Sequence, residues 1–151
     1  MAHDEYHTQY RRDALSKALW FTDLMREDMQ KGLEQRGMTQ VRAHLLWELA
    51  IHQPLMQSEL AKVLGVTPRN VTTLIDALER AGFVLRSAHP TDRRATMLSL
   101  SEAGAAEVRR LQNDMTELAN MLFANVSPAD LETFSTVIGE AALKLSTLIG
   151  K

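Results

Sequence analysis

Cysteine is absent from this 151-residue chain, and proline (four), tryptophan (two) and tyrosine (two) are scarce. Without cysteine there is no disulfide, thiolate zinc site, iron–sulfur cluster or thiol-based sensor. No apolar run reaches the ~18 residues that cross a bilayer. The opening MAHDEYHTQYRR lacks the apolar core of a signal peptide, so a cytoplasmic chain with no membrane association is expected. Also missing are an HExxH pair, a Gly-rich phosphate loop, a Ser-His-Asp order and a paired-carboxylate motif, so neither an enzyme nor a cofactor is expected. The five histidines, at positions 3, 7, 44, 52 and 89, offer no chelate. His44 and His52 fall eight residues apart on a helix that begins near Thr39, roughly 12 Å by helical rise, too far to share an ion. No metal is expected.

The length suffices for one domain with a sizeable core, or for two smaller subregions sharing one. Its most informative stretch is SELAKVLGVTPRNVTTLIDALERAGFVLRSAHPTDRRATMLSL, residues 58–100. Leu60, Ala61 and Leu64 turn one face of a short helix inward, and Gly65 supplies the left-handed stop. After a brief turn Thr67 is an N-cap candidate, with Pro68 at the first helical position. Val71, Leu74, Ile75 and Leu78 then repeat at helical spacing up to Gly82. The opposite face carries Arg69, Asn70, Thr72, Thr73 and Asp76, mostly short hydrogen-bonding side chains able to approach base edges and phosphates.

Two β-compatible runs follow, Phe83 to Ala88 and Ala95 to Leu100, the second alternating Thr96, Leu98 and Leu100 with Ala95, Met97 and Ser99. His89-Pro90-Thr91-Asp92 connects them. Arg93 and Arg94 sit at or just after the hairpin tip, where a guanidinium can enter a minor groove, and Asp92 is expected to orient one of them. Each piece alone is commonplace; the ordered combination is a winged helix-turn-helix. Residues 58–98 carry six basic and four acidic side chains in a chain of net charge −2, so the positive charge gathers on this segment. That asymmetry fits selective DNA reading better than nonspecific coating.

Through SELAKVLGVTPRNVTTLIDALERAGFV and PTDRRATMLSLSEAG, with MTQVRAHLLWELA ahead, the chain resembles the MarR family of winged helix-turn-helix transcription regulators over about residues 38–110. The family pattern is an LA-containing helix, a recognition helix ending in LE-x-x-G, and a D-R-R wing feeding an L-[ST]-x-x-G helix start. The resemblance implies base and phosphate contacts from Thr67, Arg69, Asn70, Thr72 and Thr73, with Pro68 among them at the helix start. It also implies minor-groove entry by Arg94 and bracing by Asp92. Two positions depart from the pattern: Met56 stands where a capping Thr is frequent, and Thr73 where Arg or His is common. Some members sense peroxide through cysteine, a route closed to this chain.

The flanks read as helices with apolar seams. Val108, Leu111, Met115, Leu118 and Leu122 form one, and Leu131, Phe134, Ile138, Ala141, Leu145 and Leu148 another, with Ser127 and Pro128 marking the turn of a helical hairpin. Near the start, Leu15, Ala18, Thr22, Met25 and Met29 make a third stripe, with Leu19, Trp20, Phe21 and Leu24 on a second face. A winged motif of about 60 residues cannot cover three such seams. The expected architecture is therefore mostly α with a small β-hairpin wing. Residues 1–35 form an N-terminal dimerisation helix region, 36–101 the winged helix-turn-helix lobe and 102–151 a C-terminal helical hairpin for dimerisation. A homodimer should read half-sites ~10 base pairs apart on double-stranded DNA.

Trp20, Arg42, His44 and Trp47 are the candidates for a small-molecule site, cation and imidazole for a carboxylate and rings for an aromatic body. The expected function is a sequence-specific transcriptional regulator, a dimeric repressor released from a pseudo-palindromic operator by a small aromatic or phenolic acid. A ligand-independent regulator or activator, and a winged protein-interaction module, are the alternatives.

Overall fold

Short polar side chains and glycines set the helix boundaries in this computed structural model, which describes residues 2–92 and 94–150, with side chains from His7 onward. Thr39 Oγ1 accepts from the Arg42 N–H at 3.3 Å, Thr67 Oγ1 from the Asn70 N–H at 3.2 Å, and Ser127 Oγ from the Asp130 N–H at 3.1 Å. Each satisfies an otherwise orphaned donor of a first turn. Pro68 and Pro128 occupy first-turn positions as expected. The resulting order is α1 Ala2–Glu34, α2 Gln40–His52, β1 Leu55–Met56, α3 Gln57–Leu64, α4 Pro68–Arg80, β2 Val84–Ala88, β3 Thr96–Leu100, α5 Glu102–Leu122 and α6 Pro128–Leu148. Gly65, at φ 63°, ends α3 in the left-handed conformation its sequence position suggested.

The chain divides into two compact units, residues 1–109 and 110–151. In the first, an antiparallel sheet of order β1-β3-β2 pairs Leu55 with Leu98 and Val84 with Leu100. Leu45, Leu46 and Leu49 of α2, Leu60 of α3, Val71, Ile75 and Leu78 of α4, and Val84 and Leu98 of the strands are fully buried together. Burial of a Leu, Ile or Val side chain stabilises by ~1.5–3 kcal/mol, so the apolar spacing of α4 translates directly into its anchorage. The 71/75/78 face is the core side, and Leu74 is half-buried at its margin.

The expected β2–β3 hairpin is present, and the two-residue β1 adds a third strand along the outer side of β3. The alternation along β3 is blunted for the same reason: a strand with neighbours on both sides leaves Met97 and Ser99 half-buried, though Leu98 alone is fully enclosed. α1 meets α2 near its C-terminal end, where Leu33 is buried. Its Leu15, Leu19 and Trp20 are exposed, Trp20 to 68%.

In the second unit, the end of α5 and all of α6 form the expected hairpin, with the Phe123 and Phe134 rings 6.0 Å apart beside the turn. α6 buries no residue, and Leu143, Leu145 and Leu148 stand exposed. No helix among the described residues is long and apolar enough to cross a membrane.

Candidate nucleic-acid interface

The outer face of α4 presents Thr67, Pro68, Arg69, Asn70, Thr72 and Thr73, all exposed. No acidic residue occupies its first turn, so the partial positive charge of the helix start is left available to an anion. Two threonine hydroxyls turn back on the helix: Thr72 Oγ1 donates to the Pro68 carbonyl at 2.9 Å and Thr73 Oγ1 to the Arg69 carbonyl at 3.2 Å. Gln57, at the start of α3, donates its Nε2–H to Thr72 Oγ1 at 2.8 Å, a cross-helix contact the sequence reading missed.

Asp76 does not belong to this free polar face. Arg86 on β2 reaches across and binds the Asp76 and Glu79 carboxylates at once, one guanidinium nitrogen to each. The clasp pairs both carboxylates near the end of α4 with one cation, leaving a net charge of −1 where there would be −2, and ties that helix to the wing. Arg86→Ala should therefore weaken DNA binding about tenfold, roughly 1.4 kcal/mol, by exposing two carboxylates beside phosphates. Adding Asp76→Asn and Glu79→Gln should restore it. An anisotropy titration of the single and triple variants checks both, and equal weakening in the triple variant would assign the loss to helix placement instead.

At the wing tip His89 Nδ1 accepts from the Asp92 N–H at 3.1 Å and the Thr91 N–H at 3.3 Å, so the neutral ring carries its proton on Nε2. Asp92 Oδ1 accepts from the Arg94 N–H at 2.9 Å. Asp92 thus holds the backbone of Arg94, the residue it was expected to brace. Arg94 is exposed, and Arg93 lies outside the described residues. Between α3, α4 and the wing opens a cleft of about 570 Å³, whose lining includes Gln57, Lys62, Pro68, Thr72 and Arg94.

The wing is tied down behind. The Ser101 N–H donates to the Phe83 carbonyl at 3.0 Å, Ser101 Oγ–H to the Gly82 carbonyl, and the Gly104 N–H to Ser101 Oγ at 3.0 Å. Met56 makes no side-chain cap on α3. Its N–H is instead satisfied by Glu59 Oε2 at 3.0 Å, which supplies half of a capping box.

The four small-molecule candidates stand apart from the cleft just described: none of them lines it. Trp20 is exposed on α1, Arg42 and Trp47 are half-buried on α2, and His44 Nε2 faces Glu48 Oε1 at 3.2 Å. His52 Nε2 lies 3.6 Å from the other Glu48 oxygen, so that carboxylate, one helical turn from each imidazole, stands between the two. Among the described residues no cluster of three or more His, Asp or Glu is arranged for a metal ion.

A helix-turn-helix followed by a two-stranded wing, with β1 completing the sheet, defines a winged helix-turn-helix protein. The MarR family model matches residues 38–96, so the helix-turn-helix and wing of this chain are similar to those of the MarR family. It is 25% identical over 142 residues to the uncharacterised HTH-type transcriptional regulator YwhA of Bacillus subtilis, covering 94% of this chain and 99% of that one. It is 34% identical over 77 residues, about half of each chain, to the HTH-type transcriptional repressor MdtR of the same organism. The structure of Streptococcus pneumoniae FabT in complex with DNA superposes with a TM-score of 0.74 at 20% identity, over 93% of this chain and 98% of that one, a likeness of fold.

Proposed function

We propose that this chain is a dimeric, sequence-specific DNA-binding repressor. The observation that carries the reading is the exposed N-terminal face of α4, with Arg69, Asn70, Thr72 and Thr73 outward and the acid-free helix start beside them. Recognition helices of this kind enter the major groove N-terminus first. Thr67 and Pro68 sit where phosphate approaches, Arg69 and Asn70 reach base edges, and Arg94, steadied by Asp92, enters the adjacent minor groove with Arg93 beside it in sequence. The repressor name of MdtR supports the direction of control, and a fold shared with the DNA-bound FabT is in keeping with DNA as the partner.

The exposed apolar surfaces of α1 and α6 support dimerisation, with residues 1–35 and 102–151 as the pairing region and 36–101 as the reading lobe. Two copies related by a twofold axis would address a pseudo-palindrome with half-sites ~10 base pairs apart, occluding a promoter. Release is proposed to follow binding of a small aromatic acid, its carboxylate to Arg42 or His44 and its ring against Trp47 or Trp20. A ligand that prefers the DNA-free arrangement lowers operator affinity by its own differential affinity.

The experiment is site selection from random duplex DNA, then anisotropy titration of the selected site at several salt concentrations. The logarithm of affinity should fall with the logarithm of salt at about 0.9 per phosphate neutralised. Arg94→Ala should cost about fivefold in affinity, roughly 1 kcal/mol, and leave the oligomeric state unchanged. Salicylate at millimolar concentration should release the wild-type complex. Salt-independent or absent DNA binding overturns the regulator reading, and binding that no aromatic acid alters removes only the ligand.

A further inference from the structure

Gln57 belongs to α3, fifteen residues from Thr72, yet its amide meets the Thr72 hydroxyl on the outward face of α4. The two side chains settle each other's direction. Thr72 commits its only proton to the Pro68 carbonyl at 2.9 Å, so the group Gln57 brings to it at 2.8 Å must be the Nε2 donor. Thr72 Oγ1 is left with one unused lone pair and no proton to give. A free threonine hydroxyl rotates and serves donors and acceptors alike. Held in this way, it can only accept.

We propose that Gln57 is a positioning residue that determines base preference. By fixing Thr72 Oγ1 as an acceptor, it biases the base pair beneath Thr72 toward one that presents an exocyclic amino group in the major groove, adenine N6 or cytosine N4. Thymine O4 and guanine O6, which offer only lone pairs at those edges, would face another lone pair and be disfavoured. Both side chains border the cleft between α3, α4 and the wing, and Gln57 is half-buried, which limits the arrangements its amide can take without Thr72. The inference rests on the DNA-reading role of α4 proposed above.

The test compares wild type, Gln57→Met, Thr72→Val, Thr72→Ser and the Gln57→Met/Thr72→Val pair by selection from random DNA, with affinities and salt slopes measured on the winning sites. Met keeps the length of Gln57 and removes its donor. Wild type should prefer adenine or cytosine at one position of each half-site. Gln57→Met should reduce that preference about tenfold with the salt slope unchanged. Thr72→Val should reduce it by a similar factor, the pair by no more than either alone, and Thr72→Ser should retain it.

Selection of the same sequence with undiminished preference by Gln57→Met overturns the proposal. So does uniform weakening on all sequences with a salt slope smaller by about one, the mark of a phosphate contact. Both outcomes differ from failure of the underlying reading, in which wild type itself shows no salt-dependent, sequence-selective binding.

Discussion

Gly104→Ala should destabilise the protein by about 3 kcal/mol, lowering its melting temperature by roughly 6–12 °C. Helix propensity alone predicts the opposite sign. Gly104 lies in the first turn of α5, where alanine is favoured over glycine by as much as ~1 kcal/mol. A Cβ at this position, however, would stand 2.0 Å from the Phe83 carbonyl oxygen and 3.3 Å from Leu100 Cδ2. The oxygen is backbone, and it already accepts the Ser101 N–H, so it cannot swing aside as a flexible side chain would. Relief requires α5 to move away from the exit of α4, breaking the Ser101 bonds to Phe83 and Gly82 together. Thermal unfolding followed by circular dichroism decides the matter, and a melting temperature equal to or above wild type would show that the approach relaxes freely.

Leu145→Glu is expected to raise the dimer dissociation constant at least about a hundredfold, a loss of ~2.7 kcal/mol or more. Leu145 is exposed on α6 in the seam of Phe134, Ile138 and Leu148. In an isologous interface one substitution places two carboxylates in apolar surroundings, each costing several kcal/mol unless paired. Light scattering behind size exclusion should find twice 17.0 kDa for the wild type and the single mass for the variant at micromolar concentration. Operator affinity should fall with it, because half-sites bound independently lose their shared effective concentration. A variant that stays dimeric would place the interface elsewhere than α6.

Sequence was most informative where the physics is local. A threonine before a proline, an apolar repeat at 71, 75 and 78, and a glycine at position 65 depend on neighbours within a turn, and the structure has each of them in the expected part. The helical hairpin from Ser127 was legible for the same reason. Contacts between distant segments were not. The two residues of β1 have no periodicity to detect and become a strand only by pairing with β3. Asp76 looks like one more polar residue of the α4 outer face until Arg86, ten positions on, claims it.

Gln57 shows no motif linking it to Thr72, and Gly104 was visible as a motif glycine without its cause, a carbonyl twenty-one residues earlier. The spacing of His44 and His52 gives no hint that the carboxylate midway between them, Glu48, is the group His44 meets. The ligand candidates were assembled by residue type, a criterion that says nothing about whether side chains converge.

The place of β3 in the middle of the sheet has a mechanical consequence. On one side it carries β1, which runs straight into α3; on the other it carries β2, whose Arg86 grips α4. The wing is therefore no loose finger but the second jaw of a caliper whose first jaw is the recognition helix, with the gap between them set by folding. Such a gauge cannot relax one contact to improve the other. In the DNA-reading role proposed for α4 and the wing, a duplex whose minor groove lay at the wrong distance from its major-groove site would itself have to deform to be gripped, and its stiffness would become part of what the protein measures.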